Sequence, residues 1–167
     1  RFIGEGDFSH EPMIIMAFLP QNNIKEISEA TKKLLENKKV CPKFDIICIN
    51  SKTQKDPKQY IEDCRVKAQI NEKQGLLVLS GRQCSLGISI KNCDIVLLLN
   101  DNQSFDMNEQ MKFRSMTEDK NKKHGFVIDF DINRVVDSLI NYALLIKPNK
   151  HPRDAIKYLL QEKLIDF

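Results

Sequence analysis

Met13-Ile14-Ile15-Met16-Ala17-Phe18-Leu19, closed by Pro20, is the longest unbroken apolar run in the chain, at seven residues. That is strand length, and a run without polar alternation suits a strand buried on both faces, as in a parallel sheet. It falls far short of the roughly 20 apolar residues that cross a bilayer as a helix. The period then changes. Asn23 precedes Glu26 by three positions, a capping-box-like start, and Ile24, Ile27, Ala30, Leu34 and Leu35 recur on one helical face through about Lys38. A central strand leading into an amphipathic helix is the first expectation.

The same alternation continues along the chain. Phe44–Asn50 is short and isoleucine-rich, and the polar stretch 51–55 follows it; Asp56-Pro57 then opens a helix carrying Tyr60, Ile61, Cys64 and Ala68 toward Glu72. Gly75 introduces the strand Leu76–Leu79, a loop over 80–92 contains Gly81 and Gly87, and Asp94–Asn100 is the next strand. Asp106 and Glu109 have capping spacing, which predicts a helix from about Met107 to Met116. A strand over His124–Phe130, a helix marked by Val135, Val136, Leu139, Ile140, Ala143 and Leu144 that ends before Pro148, and a last helix from Pro152 to Lys163 complete the pattern. Strands alternating with helices predict an α/β fold, a parallel sheet covered on both faces, with informative loops at the carboxyl ends of its strands.

The 167 residues are 41% hydrophobic and 29% charged, a globular balance that sets aside disordered and low-complexity scaffolds. A net charge of +3 permits a nucleic-acid partner without requiring one. Cysteines at 41, 48, 64, 84 and 93 have no C-x-x-C spacing and no clustered histidine, which predicts reduced thiols in an intracellular, cytoplasmic protein and no metal site. The chain opens on Arg1 without a basic-then-apolar leader, so the expectation is a piece of a longer protein.

Few segments carry a chemical signal. The loop Ser80-Gly81-Arg82-Gln83-Cys84-Ser85-Leu86-Gly87-Ile88-Ser89 could bring backbone N–H groups to an anion, but Ile88 and Ser89 stand where a P-loop needs Lys and Ser or Thr. Asp101 and Asp129 end apolar strands, as turn and cap residues commonly do; Asp129 and Asp131, with one residue between them, could be read as a carboxylate pair, but two carboxylates alone make a poor metal site. The histidines at 10, 124 and 151 lack partner spacing, and Lys120, Lys122 and Lys123 suit a solvated loop better than a phosphate site. Gln110 and Arg114 are four apart and share a helical face, so both can address one ligand above the sheet edge. A guanidinium suits phosphate recognition.

Taken in order, these segments resemble the second RecA-like domain of superfamily 2 helicases, a parallel-sheet, three-layer fold that here lacks its own P-loop. The resemblance covers most of residues 12–146. Met13–Pro20 is similar to motif IV, Leu77–Ser89 to motif V, and Gln110-Met-Lys-Phe-Arg114 falls where motif VI places its glutamine and arginine finger. The phrasing Leu-Gly-Ile-Ser-Ile-x-x-Cys-Asp-Ile-Val-Leu-Leu-Leu-Asn-Asp followed by Gln-Met-x-Phe-Arg-Ser-Met-Thr-Glu looks most like helicase-type ATPases of large cytoplasmic DNA viruses, whose location would include the virion or viral factory. The sequence departs from the family at Thr117, where a second arginine is usual, at Phe113, where glycine is usual, and at Ser89, where many relatives have aspartate.

The resemblance implies residues 1–11 as a lead-in from an absent upstream domain, 12–146 as the RecA-like domain and 147–167 as a helical extension. It implies ATP and Mg2+ held only through that absent first domain, with Arg114 and Gln110 catalytic, and with Gly87, Ser89 and Arg114 on the nucleotide. Pro20, Ser80, Gly81 and Arg82 would contact DNA or RNA. The partners implied are the N-terminal ATPase domain and a nucleic acid, not a membrane, and the isolated domain is expected to be inactive. A non-catalytic RecA-like module that docks a protein through the same surface is the alternative. A Rossmann-like nucleotide binder is the weaker one, because Gln21-Asn22-Asn23 follows the first strand in place of G-x-G-x-x-G.

Overall fold

The computed structural model describes residues 12–50, 56–84, 90, 93–117, 122 and 124–162. Strands β1 (Met13–Phe18), β2 (Phe44–Ile49), β3 (Gly75–Ser80), β4 (Cys93–Leu98) and β5 (Phe126–Asp129) form one parallel sheet in the order β2-β3-β1-β4-β5. The apolar run that decides the fold is therefore the middle strand, as its lack of alternation predicts. Helices α1 (Ile24–Asn37), α2 (Pro57–Ile70), α3 (Phe105–Met116), α4 (Ile132–Ile146) and α5 (Pro152–Gln161) complete a three-layer α/β domain. The predicted segment 51–55 and the C-terminal extension beyond residue 162 lie outside the described residues.

Each face of the sheet has its own core. Ile14, Met16, Phe18, Val78, Val96 and Leu98 pack under Ile61 of α2 and Met111 of α3. Ala17, Leu19, Ile46, Leu77 and Leu79 pack under Ile24, Ile27 and Leu35 of α1. Ala30 and Leu34, predicted on the same buried stripe, are exposed. The stripe is narrower because Ser28 takes the central position, where its hydroxyl accepts from Asn50 Nδ2 at 3.4 Å. A third small cluster, Ala143 with Ala155 and Leu159, fixes α5 on α4, and the Lys147 ammonium lies 4.2 Å from the centre of the Tyr158 ring.

Helix starts differ from the predicted caps. Asn23 precedes α1 in a left-handed conformation (φ 54°) with no side-chain cap, whereas α3 begins two residues earlier than expected because the Ser104 hydroxyl accepts from the Met107 N–H at 3.4 Å. Glu109, expected in that cap, is instead buried between helices, where it accepts from Lys112 Nζ at 2.7 Å and from the Tyr142 hydroxyl of α4. His151 is the cap of α5, its Nδ1 accepting from the Arg153 N–H at 3.3 Å.

One strand is irregular. The register between β1 and β4 steps from Ile14 opposite Cys93 to Ile15 opposite Ile95, which leaves Asp94 as the extra residue of a bulge. Its fully buried carboxylate supplies the missing acceptor: Oδ2 takes the Ile14 N–H at 3.0 Å. An N–H left unmet in the middle of the sheet costs about 1–3 kcal/mol. Asp94→Ala is therefore expected to lower stability by about that amount, read as a lower urea midpoint at unchanged slope.

Candidate functional site

The parallel arrangement sorts the predicted site residues to the two ends of the sheet. Phe18 is in register with both Ser80 and Leu98, so Pro20, Ser80-Gly81-Arg82 and Asn100 gather at the carboxyl end. There the Leu19 N–H donates to the Ser80 carbonyl at 2.8 Å, carrying the β1–β3 ladder one residue further. Ser80 is fully buried and its hydroxyl donates to the Gly81 carbonyl at 3.3 Å, so it faces the protein rather than a solvent phosphate. A Cβ on Gly81 would lie 2.8 Å from Ile24 Cγ1; close packing of β3 against α1 thus requires this glycine whether or not an anion binds. Arg82 is exposed and opens the 3-10 turn Arg82–Cys84, with Nη2 3.8 Å from Met107 Sδ at the start of α3. Pro20 is half-buried. Gly87 and Ser89 lie outside the described residues.

Arg114 belongs to the other end. Helix α3 runs back along the sheet, and its carboxyl terminus is pinned beside the start of β4 and β5. Lys122 Nζ donates to both the Cys93 carbonyl and the Thr117 carbonyl, and Gly125 comes so close that a Cβ there would sit 1.7 Å from the Ser115 oxygen. Lys122, expected in a solvated loop, is thus part of the fold. Arg114 is half-buried, and burial lowers its pKa, with the Cys84 and Cys93 thiols near enough to act in the opposite direction. Gln110, one turn earlier, is exposed. The two side chains share a helical face as their spacing predicts, but they sit in different surroundings: Gln110 adjoins Met111, whose Sδ meets Asn100 Nδ2 at 3.3 Å past the carboxyl end of β4, and Arg114 lies in the last turn of α3, near Cys84 and Cys93.

The strongest electrostatic feature was not predicted. Arg134 of α4, 2% exposed, reaches under the carboxyl end of the sheet. Its Nε and Nη2 donate to the Asp129 carboxylate at 2.9 and 2.6 Å, its Nη1 to the Asn100 carbonyl at 2.8 Å and to the Asn102 carbonyl at 3.3 Å, and its Nη2 also to the Leu98 carbonyl at 3.3 Å. Asp129 is thereby held in an ion pair rather than offered to a metal. Asp131 instead caps α4, its carboxylate accepting from the Asn133 and Arg134 N–H groups at 3.0 and 3.3 Å. The Arg134 N–H, followed by that of Asn133, draws the Asp131 pKa below its ordinary value. Only a motif linking residues about thirty positions apart could have revealed Arg134.

No protein-family model matches the chain, and no curated protein sequence emerges as a relative. Solved structures of similar shape include the C-terminal part of the Fun30 ATPase domain, at 13% identity and a TM-score of 0.48 over 75% of this chain. Another is the Mycobacterium smegmatis helicase Lhr bound to ssDNA and AMP-PNP, at 10% identity and a TM-score of 0.47 over 83% of this chain. This chain spans 37% and 18% of their respective lengths. The fold class rests on the parallel sheet itself.

Two measurements test these environments. Arg134→Met leaves the Asp129 carboxylate buried without its cation, and a loss of about 3–5 kcal/mol in chemical denaturation is expected. Burial pushes the Cys93 thiol from 9.0 up to about 12, so the native state keeps a proton that the unfolded chain releases. Stability should then fall as pH rises from about 9.0 toward about 12, and fall less steeply in Cys93→Ala. Equal slopes in the two proteins would refute the burial of that thiol.

Proposed function

We propose that this chain is the second RecA-like domain of an ATP-dependent superfamily 2 helicase or translocase, supplying an arginine finger and part of the nucleic-acid surface. The observation that carries this reading is the placement of Arg114. It stands half-buried at the amino end of β4, on a helix whose other terminus lies at the carboxyl end beside Arg82. A guanidinium partly withdrawn from water attracts a polyanion more strongly than one in bulk solvent, and its planar fork suits phosphate oxygens.

The sequence has no Gly-x-x-x-x-Gly-Lys-Ser/Thr, so in this reading a partner ATPase domain grips the triphosphate. Mg2+, when bound by that partner domain, would supply charge neutralisation for phosphoryl transfer. Arg114 approaches the γ-phosphate across the cleft, a contribution of roughly 10³–10⁵ in rate. Gln110, exposed one turn away, orients that arginine or the attacking water; Gly87 and Ser89 are assigned to the nucleotide by the family resemblance alone. At the other end, Arg82, the Gly81 backbone and Pro20 meet the phosphates of DNA or RNA without reading bases. The buried Ser80 hydroxyl takes no direct part and instead shapes the turn through Gly81. In this reading residues 12–146 are the working domain and 147–167 an extension, and the motif phrasing resembles that of the cytoplasmic DNA-virus enzymes.

A second reading, a non-catalytic module docking a protein, is favoured by Phe113 and Met116, which are 57% and 52% exposed on the same helix. Arg114→Ala separates the two. With the P-loop domain present, nucleic-acid-stimulated ATP hydrolysis is expected to fall by about 10³ or more while ATP binding changes little. Unchanged turnover would overturn the arginine-finger assignment and leave the docking module.

A further inference from the structure

The two flanks of α3 carry different chemistry. Arg114 lies on one, near the Cys84 thiol, and on the other α3 meets α4 through polar side chains. Glu109 is buried there with both carboxylate oxygens engaged: Oε1 accepts from Lys112 Nζ at 2.7 Å, and Oε2 accepts from the Tyr142 hydroxyl. Lys112 Nζ also donates to the Ser138 hydroxyl at 3.0 Å, and the Tyr142 ring stands edge-on to Phe105. Phe105, Glu109 and Lys112 thus present two turns of α3 to Ser138 and Tyr142 of α4.

We propose that Tyr142 is a positioning residue for Arg114: its hydroxyl, acting through Glu109 and Lys112, holds the rotation of α3 at which Arg114 addresses a phosphate. At about 100° per residue, Arg114 stands about 140° round the helix from Glu109 and about 160° from Lys112. The seam therefore fixes how far α3 is turned about its axis, and the guanidinium on the opposite flank reports that turn. A rotation of about 10° carries a group about 6 Å from the axis through about 1 Å. Misplacement by about 1 Å can cost about a hundredfold where a reaction depends on orientation. The consequence for turnover rests on the arginine-finger reading, whereas the hold on Arg114 does not.

Tyr142→Phe tests it, because the ring and its contact with Phe105 stay and only the hydroxyl goes. Tyr142 is 39% exposed, so the change opens no cavity in either sheet core. In nuclear magnetic resonance of the chain, the Arg114 Nε–H signal is expected to move while the methyl signals of Val78 and Leu79 in the two cores stay in place. With the P-loop domain present, kcat for nucleic-acid-stimulated ATP hydrolysis is expected to fall about tenfold, with KM for ATP within about twofold of native. An Arg114 signal that does not move would overturn the proposal, and so would core methyl signals that move with it, since those mark a general loosening. Native turnover in Tyr142→Phe, in a protein whose turnover Arg114→Ala abolishes, would overturn it too. Native turnover in both variants with the Arg114 signal moved would instead overturn the arginine-finger reading and leave the hold of Tyr142 on Arg114 standing.

Discussion

The buried Arg134 guanidinium joins four segments that are far apart in the chain: the ends of β4 and β5, the turn into α3 and the start of α4. Withdrawing a cation from water is costly, and the cost is offset here by a bidentate carboxylate and several carbonyl oxygens. Such a centre contributes geometry more than net stability. Asn100, bonded to Arg134 Nη1 through its side-chain oxygen at 3.1 Å, accepts the Asn102 N–H through the same atom. Asn102 in turn accepts from Asn108 Nδ2 and from the Ser104 N–H, so the chain of amides runs from the arginine directly into the cap of α3. The first turn of the helix that carries Gln110 and Arg114 is set by a residue twenty positions beyond Arg114.

The far end of α3 is fixed by different means. Steric contact of Gly125 with Ser115 and the two bonds from Lys122 hold it against β4 and β5. Between these anchors the Glu109–Lys112–Ser138 bonds and the edge-on contact of Phe105 with Tyr142, 5.5 Å between ring centres, bind α3 along its length to α4. A polar seam of this kind specifies one rotation of the helix about its axis, which an apolar seam would leave looser.

The fold was legible where local period carries the information. Each strand carries an apolar run of at least three residues and most helices have a stripe at period 3.6, so element order and the central place of Met13–Phe18 followed from the sequence. What local pattern could not supply were contacts between distant residues. Asp94 reads as the polar edge of a strand, yet its partner is the N–H of Ile14, eighty positions away. Asp106 and Glu109 imitate a cap, but Ser104 holds the position and Glu109 is claimed by Tyr142, thirty-three residues on. The site was legible to the same extent. The spacing of Gln110 and Arg114 put them on one face, while the end of the sheet to which that face belongs depends on the anchoring of α3. The Ser80 hydroxyl looked available because nothing local reveals that it turns inward.

These anchors bear on how the two ends of the domain communicate. Helix α3 is twelve residues long, about 18 Å at 1.5 Å per residue, and it is held at its start, along its side and at its end. Arg82 touches its first turn through Met107, and Arg114 rides on its last. A displacement imposed on the carboxyl end of the sheet therefore cannot be absorbed by bending within α3 without breaking buried polar contacts. It must move the helix, and Arg114 with it, as a rigid piece. On the helicase reading, coupling between strand and nucleotide would then be a rigid-body shift of this domain against its partner, with adjustment confined to the segments between domains rather than to the helix that bears the arginine.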